Sequence, residues 1–572
     1  MSKVHVGIST REMHVSHVMP QISQAGALAF PVTLVLTGAI LLALFLSILK
    51  LNNGTFIYSL DDPYISLALS DQIRHGNYGI NAGLHAAPSS SILEPFLLAA
   101  ASGTPLHPYL PLILNSMALF ATLTIVWQFL RHLRLGEDTF GQLVQAVTVL
   151  LLALCTNLIG VVFTGLEHSL HIAVTAACIY GLALFLDSDE MPAWLPAAVV
   201  IGPLLRYEAI PLSIGVLAVF VFRGRWRTAI GAFALIVLCL GGFSAFLVSM
   251  RLPPLPSSVL AKSNVAANVL GSPGAQFLTS IVLNVLVLLF HPVGIALIAC
   301  GFAAALRWLR EPSVNPRHWT SQGLMAFALS CLVGGHMVAG RIGWLDRYED
   351  YALLGTCLMG IYLMQSTIRS AMANKKRRLI SSCATAVALM LLCSHYLGSI
   401  WKIPIAANNV YEQQFQMHRF INDYYRGPVA VNDLGLVSYH NPNFVLDLGG
   451  LGSEEGRILF MSHSSPDAYR ALVDRNKVKL VIIFDEWFTH KIPASWVKVA
   501  SMDQSRECVS CAEREVQFYA TDAFTASTLR SELQSFRESL PPRVKLTICE
   551  SQSDQAREAS NLGPILLTRL HP

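Results

Sequence analysis

The chain has 572 residues, 53% of them hydrophobic and only 13% charged, with a mean hydropathy of +0.50. This composition excludes a soluble globular protein of such length, in which about a quarter of the residues would be charged. The net charge of +4 comes from separated basic clusters, a pattern that speaks for membrane topology and against a nucleic-acid partner.

The first segment, 1–27, is polar and carries Lys3, Arg11 and several histidines, and no small-residue cleavage site follows it. It is expected to be a cytoplasmic tail ahead of an uncleaved anchor. A window of about twenty residues then marks about eleven apolar runs: 31–50, 109–130, 143–163, 170–186, 192–205, 209–222, 228–248, 277–306, 324–339, 351–364 and 380–397. The two runs flanking Arg206 are short for a full crossing, and tilted, broken or re-entrant segments are all open there. Short cytoplasmic loops should hold the Lys and Arg. Every second loop does: Arg131 to Arg134, Arg223 to Arg227, Arg307 with Arg310 and Arg317, and Lys375 to Arg378. These loops are assigned to the cytoplasm together with the N-terminus. The intervening loops, which hold nearly all the residues capable of chemistry, fall on the other face.

The first outer loop, 51–108, opens with Asp61-Asp62-Pro63-Tyr64-Ile65. Carboxylates at a membrane edge are costly enough to suggest function, although Asp62 could also cap the helix that Pro63 opens. Ile65, Leu69 and Ile73 stand at helical spacing, with Asp71 and Arg74 on the polar side and Gly76 as the stop, so an amphipathic surface helix is expected. It would hold the carboxylates at headgroup depth, where a lipid-linked substrate presents its phosphate. The loop continues through Asn81-Ala82-Gly83, Ser89-Ser90-Ser91 and Glu94.

Glu167, in Thr164-Gly165-Leu166-Glu167-His168, is placed either to cap the next span or to hold an arginine, a metal or a sugar hydroxyl. Arg206-Tyr207-Glu208 interrupts two apolar runs; it is a local ion pair or a ligand set, because an arginine at membrane depth must be paired or used. Lys262, the one Lys or Arg between Arg251 and Arg307, is either solvated or a point charge for phosphate. Arg341, Asp346 and Arg347 are interfacial anchors or phosphate ligands.

From residue 401 the composition turns polar. Segments beginning at Val429, Phe444 and Val478 read as short buried strands, with a helix over 466–475 between the last two. A small α/β domain spanning 401–572 is expected on the outer face. Cys508-Val-Ser-Cys511 and Cys549 lack the partners of a zinc site and the flanks of a redox motif. A structural disulfide among the three fits an oxidising face.

In these motifs the membrane half resembles the GT-C superfamily of polytopic glycosyltransferases that use polyprenyl-phosphate sugars. The likeness is greatest to the bacterial arabinofuranosyltransferase or mannosyltransferase-like branch. Short matches run in order: Asp61 to Ile65, Asn81 to Gly83 with Ser90-Ser91, Gly165 to Glu167, Arg206 to Glu208, Leu255 to Lys262, and Arg347-Tyr348. The chain departs from the pattern at Pro63, at the serine stretch, which lacks its usual Pro-Leu-Trp ending, and at Tyr207, so the substrate's identity stays open. The resemblance implies an α-helical membrane domain over 28–400, an extracytoplasmic α/β domain, and residence in the bacterial inner membrane. Transfer of a sugar such as arabinofuranose to a glycan, lipid or protein acceptor would need a carboxylate base and cations for the departing phosphate. Asp61 is the expected base, with Asp62 orienting it or the acceptor. Lys262, Arg206 and Arg347 are the expected phosphate ligands; Glu167, Glu208, Tyr64, Ser90 and Ser91 would position substrate. No complete metal site is visible, and use of a divalent cation is left open. A transporter or flippase for lipid-linked sugars, or an envelope-assembly scaffold, is the rival reading. A transporter should carry broken helices and polar residues near mid-membrane, and the charges here sit at the ends of the spans.

Overall fold

The computed structural model describes residues 24–262, 275–392, 394–462 and 464–549; the expected N-terminal tail lies almost wholly outside them. Among the described residues six helices are long and apolar enough to cross a membrane: Leu28–Leu51, His107–His132, His168–Ser188, Trp226–Ser249, Pro292–Leu309 and Ser321–Ala339. A seventh crossing results if Asp350–Leu363 and Gln365–Ala373, bent by 65° at their junction, count as one span. The expected eleven is therefore not reached by full-length helices, and the chain itself gives the reasons. Asn157 adopts a left-handed conformation (φ 51°) and splits the third apolar run into Thr139–Cys155 and Leu158–Val162. Pro292 opens a new helix at N1, so the run over 277–306 becomes Ala275–Leu289 and Pro292–Leu309, a break that leaves its contribution to the count at one full-length helix. Arg206 is extended (φ −150°, ψ 136°) between Leu195–Leu205 and the turn at Tyr207–Ala209.

The bundle has two dissimilar ends. At one, the basic loops are tied down: Arg223 donates to Ser321, Arg225 to the Asp189 carbonyl, Arg369 to the Leu133 carbonyl and Arg378 to Asp138. At the other, the remaining loops interlock: Ser59 N–H donates to the Phe163 carbonyl, Ile92 N–H to Leu204, Ser257 N–H to Ala87, and Asn157 to the Leu345 carbonyl. The charge alternation in the sequence thus corresponds to a spatial sorting of the loops.

The C-terminal domain sits on this second end. It is reached by a helix, Ser394–Glu412, that runs without a break across residue 401. Six strands, β1 (Val429–Val431), β2 (Val445–Asp447), β3 (Leu480–Ile483), β4 (Val497–Gln504), β5 (Glu515–Ala520) and β6 (Val544–Ile548), form one sheet in the order β2-β1-β3-β5-β4-β6. The first three are parallel and the rest antiparallel. β1 and β3 are buried throughout, as the near-continuous apolar runs of a covered parallel pair require. The helix expected over 466–475 is Pro466–Arg475, with proline at its first turn. Cys508 is joined to Cys511, and Cys549 lies outside that disulfide.

The first loop is built into this domain. Ile65 and Ile80 complete the core formed by Val429, Leu434 and Val445. The Asn81 side chain pairs with the edge of β2 as a further strand would, donating to the Val445 carbonyl (2.8 Å) and accepting from the Val445 N–H (2.9 Å). Tyr58 and Tyr64 pack with Leu436 and Tyr439 in a third apolar cluster.

Candidate active site

The two adjacent carboxylates part company. Pro63 fixes the start of the Asp62–Arg74 helix, and the residue before that helix, Asp61, turns into the joint with the C-terminal domain. Its Oδ2 accepts from Gly435 N–H (2.7 Å) and its Oδ1 from Leu436 N–H (2.8 Å), the first amides of the Gly435–Ser438 turn. Position 435 must be glycine here, because a Cβ would overlap the Asp61 carboxyl group. Burial, then the nearby Asp433 and Asp62, hold the Asp61 carboxyl well above its usual range, and burial also raises Asp433. Crowded carboxyls of this kind cannot all ionise. Asp61, expected as the base, is thus committed through both oxygens to the backbone of another domain.

Asp62 faces the other way. It lines a cleft whose walls include Ser66, Ser90, Glu167, Arg206, Arg347 and Leu451. Its Oδ2 accepts from Arg347 Nη2 at 2.7 Å. Arg347 is 2% exposed, and the same Nη2 lies 3.0 Å from the Tyr348 hydroxyl. Its Nε and Nη1 are buried and have no hydrogen-bond partner among the described residues. A buried guanidinium with idle N–H groups on a cleft wall is a costly arrangement and a ready receptor for an anion.

The chain reaches Arg347 by a strained route. Trp344, Leu345 and Asp346 follow one another in the left-handed region (φ 53°, 61° and 53°), a conformation that costs roughly 1–2 kcal/mol for each residue bearing a Cβ. The turn is held by Asn157 on the Leu345 carbonyl and by Glu349, which accepts from Gly343 N–H (3.0 Å) and from the Tyr396 hydroxyl (3.0 Å). Burial, then the Asp346 charge, pushes the Glu349 carboxyl up to about 8. Such strain concentrates where a side chain must be presented in one orientation.

Across the cleft Arg206 is 6% exposed and carries two carboxylates, Glu167 on Nη1 (2.5 Å) and Glu208 on Nη2 (2.6 Å). His168 Nε2 lies 3.2 Å from Nη1. Arg206 and Glu208 thus form the local pair, and Glu167 makes no side-chain cap but holds the arginine. Gly165, at φ 71°, lets the Thr164–Glu167 turn pass against Tyr58 and Pro63, where a Cβ would collide with both. Behind Glu167, Glu94 accepts from Ser66 Oγ at 2.9 Å. Burial, then Glu167, raises the Glu94 carboxyl well above its normal value.

The other expected residues are distributed unevenly. Ser90 lines the cleft, whereas Ser91 accepts from Glu94 N–H and fixes the short Glu94–Ala99 helix. Tyr64 lies in the interdomain apolar cluster, its hydroxyl accepting from Tyr58 N–H. Lys262 ends a short helix, Ser257–Lys262, that begins beside the cleft wall at Ala87; its side chain lies outside the described residues. Arg341 is exposed, and Asp346 accepts from Ser399. The reading of single motifs gave no role to His168, Glu94 or Asp433, although the first two stand within motifs it quotes. In the cleft Asp62 faces Arg347, and Glu167 and Glu208 face Arg206.

Residues 407–519 match a family model described as a domain of unknown function (DUF8728). No curated protein matches the chain. Among solved structures, it is similar to the Archaeoglobus fulgidus oligosaccharyltransferase complex with Zn and sulfate, at 11% identity over 89% of this chain and 74% of that one, with a TM-score of 0.42. AglB from the same organism, in complex with an inhibitory peptide and a dolichol-phosphate, matches at 13% identity over 91% and 74%, with a TM-score of 0.39. The same oligosaccharyltransferase tethered to an acceptor peptide containing the NVT sequon matches at 10% identity over 90% and 76%, with a TM-score of 0.40. Likeness at this level leaves the activity to be argued from the chain's own residues.

Proposed function

We propose that this chain is a membrane glycosyltransferase that takes a sugar from a polyprenyl-phosphate donor. The observation that carries the reading is Arg347: buried on the cleft wall, with two nitrogens lacking hydrogen-bond partners among the described residues and the third bonded to Asp62. A donor phosphate supplies the acceptor oxygens that those nitrogens lack. As the glycosidic bond to phosphate breaks, negative charge grows on the departing group, and a preorganised guanidinium stabilises it. Asp62 is then the carboxylate best placed to take the proton of an acceptor hydroxyl. Asp61 does not act on substrate; it fixes the turn that aims Asp62. Glu167, Glu208 and His168 hold Arg206, which adds positive potential to the opposite wall. Lys262 is proposed as a further phosphate ligand from its position in the sequence.

The basic end of the bundle is proposed to face the cytoplasm, since short cytoplasmic loops collect Lys and Arg. The cleft and the C-terminal domain then lie outside, in a bacterial plasma membrane. The arabinofuranosyltransferase-like branch is the proposed affiliation. The acceptor is a glycan, lipid or protein hydroxyl or amide. Transfer of radiolabelled sugar from a panel of polyprenyl-phosphate sugars, by wild-type protein and by Arg347→Ala, tests the reading. Turnover of one donor by the wild type, lost in the variant, is expected; no turnover of any donor by folded wild-type protein would overturn it.

A further inference from the structure

A second cluster, distinct from the residues lining the cleft, joins three distant segments. Asp71 comes from the last turn of the Asp62–Arg74 helix, His107 from the turn that opens the span His107–His132, and His440 from the C-terminal domain just after Gly435–Ser438. One ligand atom from each lies within 4.8 Å of the others. His107 Nδ1 is 3.4 Å from Asp71 Oδ1, and His440 Nε2 is 3.5 Å from Asp71 Oδ2. Both separations are long for hydrogen bonds, which fall at about 2.7–3.2 Å. Each imidazole faces a different oxygen of the one carboxylate, a spacing that leaves room for a metal ion between the three groups.

The proton inventory points the same way. Ser70 Oγ has one hydrogen, and it donates to the Leu67 carbonyl at 2.7 Å. With that bond made, His107 Nε2, 2.8 Å from the same oxygen, is the donor in their contact. In that tautomer the Nδ1 lone pair is turned toward Asp71, and a cation between the two would be held by both. The Tyr439 hydroxyl, 3.2 Å from Nδ1, is the donor that competes for this lone pair. Asp71 is itself oriented by Ser102, which donates to Oδ1. Outer partners of this kind, Ser70 on the imidazole and Ser102 on the carboxylate, are what hold metal ligands in place. His440 adopts φ 51° and stacks its ring on Tyr439, with centroids 3.9 Å apart. A residue with a side chain rarely takes that backbone conformation, and here it brings the imidazole over the membrane domain.

We infer that Asp71, His107 and His440 form a zinc-type divalent metal site that clips the C-terminal domain to the membrane bundle. Two imidazoles and a carboxylate suit zinc, and three protein ligands leave a fourth position for water. The clip stands five residues from Gly435, whose amide holds Asp61, so it secures the joint from its far side.

The test uses the full chain in detergent, stripped with a chelator, reloaded with zinc, desalted, and assayed for bound metal and for thermal unfolding. Wild type should retain one more zinc per chain than His440→Ala and than Asp71→Asn, and its unfolding temperature should rise with zinc by several degrees while theirs does not. His440 is 58% exposed on its side chain, so its truncation spares the fold. Equal zinc content in wild type and His440→Ala, or retention of zinc with no thermal shift in the wild type, would overturn the inference.

Discussion

Asp61 and Asp62 are neighbours in sequence and opposites in circumstance. Both Asp61 oxygens are satisfied by backbone amides of the C-terminal domain, whereas Asp62 faces a cleft and an arginine that still has donors to give. The joint around Asp61 is closed in the hydrogen-bonding sense: Asn81 completes the edge of β2, and Ile65 and Ile80 enter the domain's core. The cleft around Asp62 is open, with strained backbone leading to Arg347 and a buried donor surplus at its wall. Folding tends to satisfy every buried polar group, and on the proposed reading the deficit at Arg347 is where the donor phosphate binds. A joint without a deficit marks structure.

Substitutions should separate the two regions. Of four substitutions that separate them, the largest effect is expected from Arg347→Ala, which should lower sugar transfer by about 10²–10³-fold, as removal of a preorganised donor to a developing anion does, while thermal unfolding changes little. The reverse pattern is expected of Asp61→Ala. Two buried N–H groups lose their acceptor, which should cost about 2–4 kcal/mol, visible as a loosened C-terminal domain in proteolysis or hydrogen exchange. Asn81→Ala should cost less, about 1–2 kcal/mol, because it frees one donor and one acceptor at a sheet edge. Glu208→Gln should matter least, lowering turnover by less than about tenfold, since Arg206 keeps the better-buried Glu167.

The two regions also differ in how far they could be read from the chain. The acidic pair, the arginines and the turn at Glu167 were visible because charged residues are rare in so apolar a sequence. Which member of the pair meets the cleft was not visible, because it is decided by Gly435, 374 residues away. The left-handed run before Arg347 was hidden for a related reason: Trp344, Leu345 and Asp346 carry no glycine signal, and tertiary bonds from Asn157 and to Glu349 impose the conformation. Pro292 in the long apolar run over 277–306 did announce a break, and hydropathy alone overrode it. In the C-terminal domain β1, β3 and the Pro466–Arg475 helix were legible from apolar runs and from proline at a helix start. β4 was obscured by the register shift between Lys498 and Ala500, which interrupts its alternation. The histidine–aspartate cluster was beyond sequence reasoning, since no spacing rule links residues 71, 107 and 440.

The division of labour between the two carboxylates is tested most directly by measuring sugar transfer per folded molecule for Asp61→Asn and Asp62→Asn side by side, with the donor that the wild type uses. Asp62→Asn should remain as stable as wild type and lose turnover by about 10²–10⁴-fold, the range for a displaced proton acceptor; Asp61→Asn should unfold more readily and keep most of its turnover per folded molecule. Full turnover in Asp62→Asn, with loss confined to a stably folded Asp61→Asn, would contradict the assignment and return the base to Asp61.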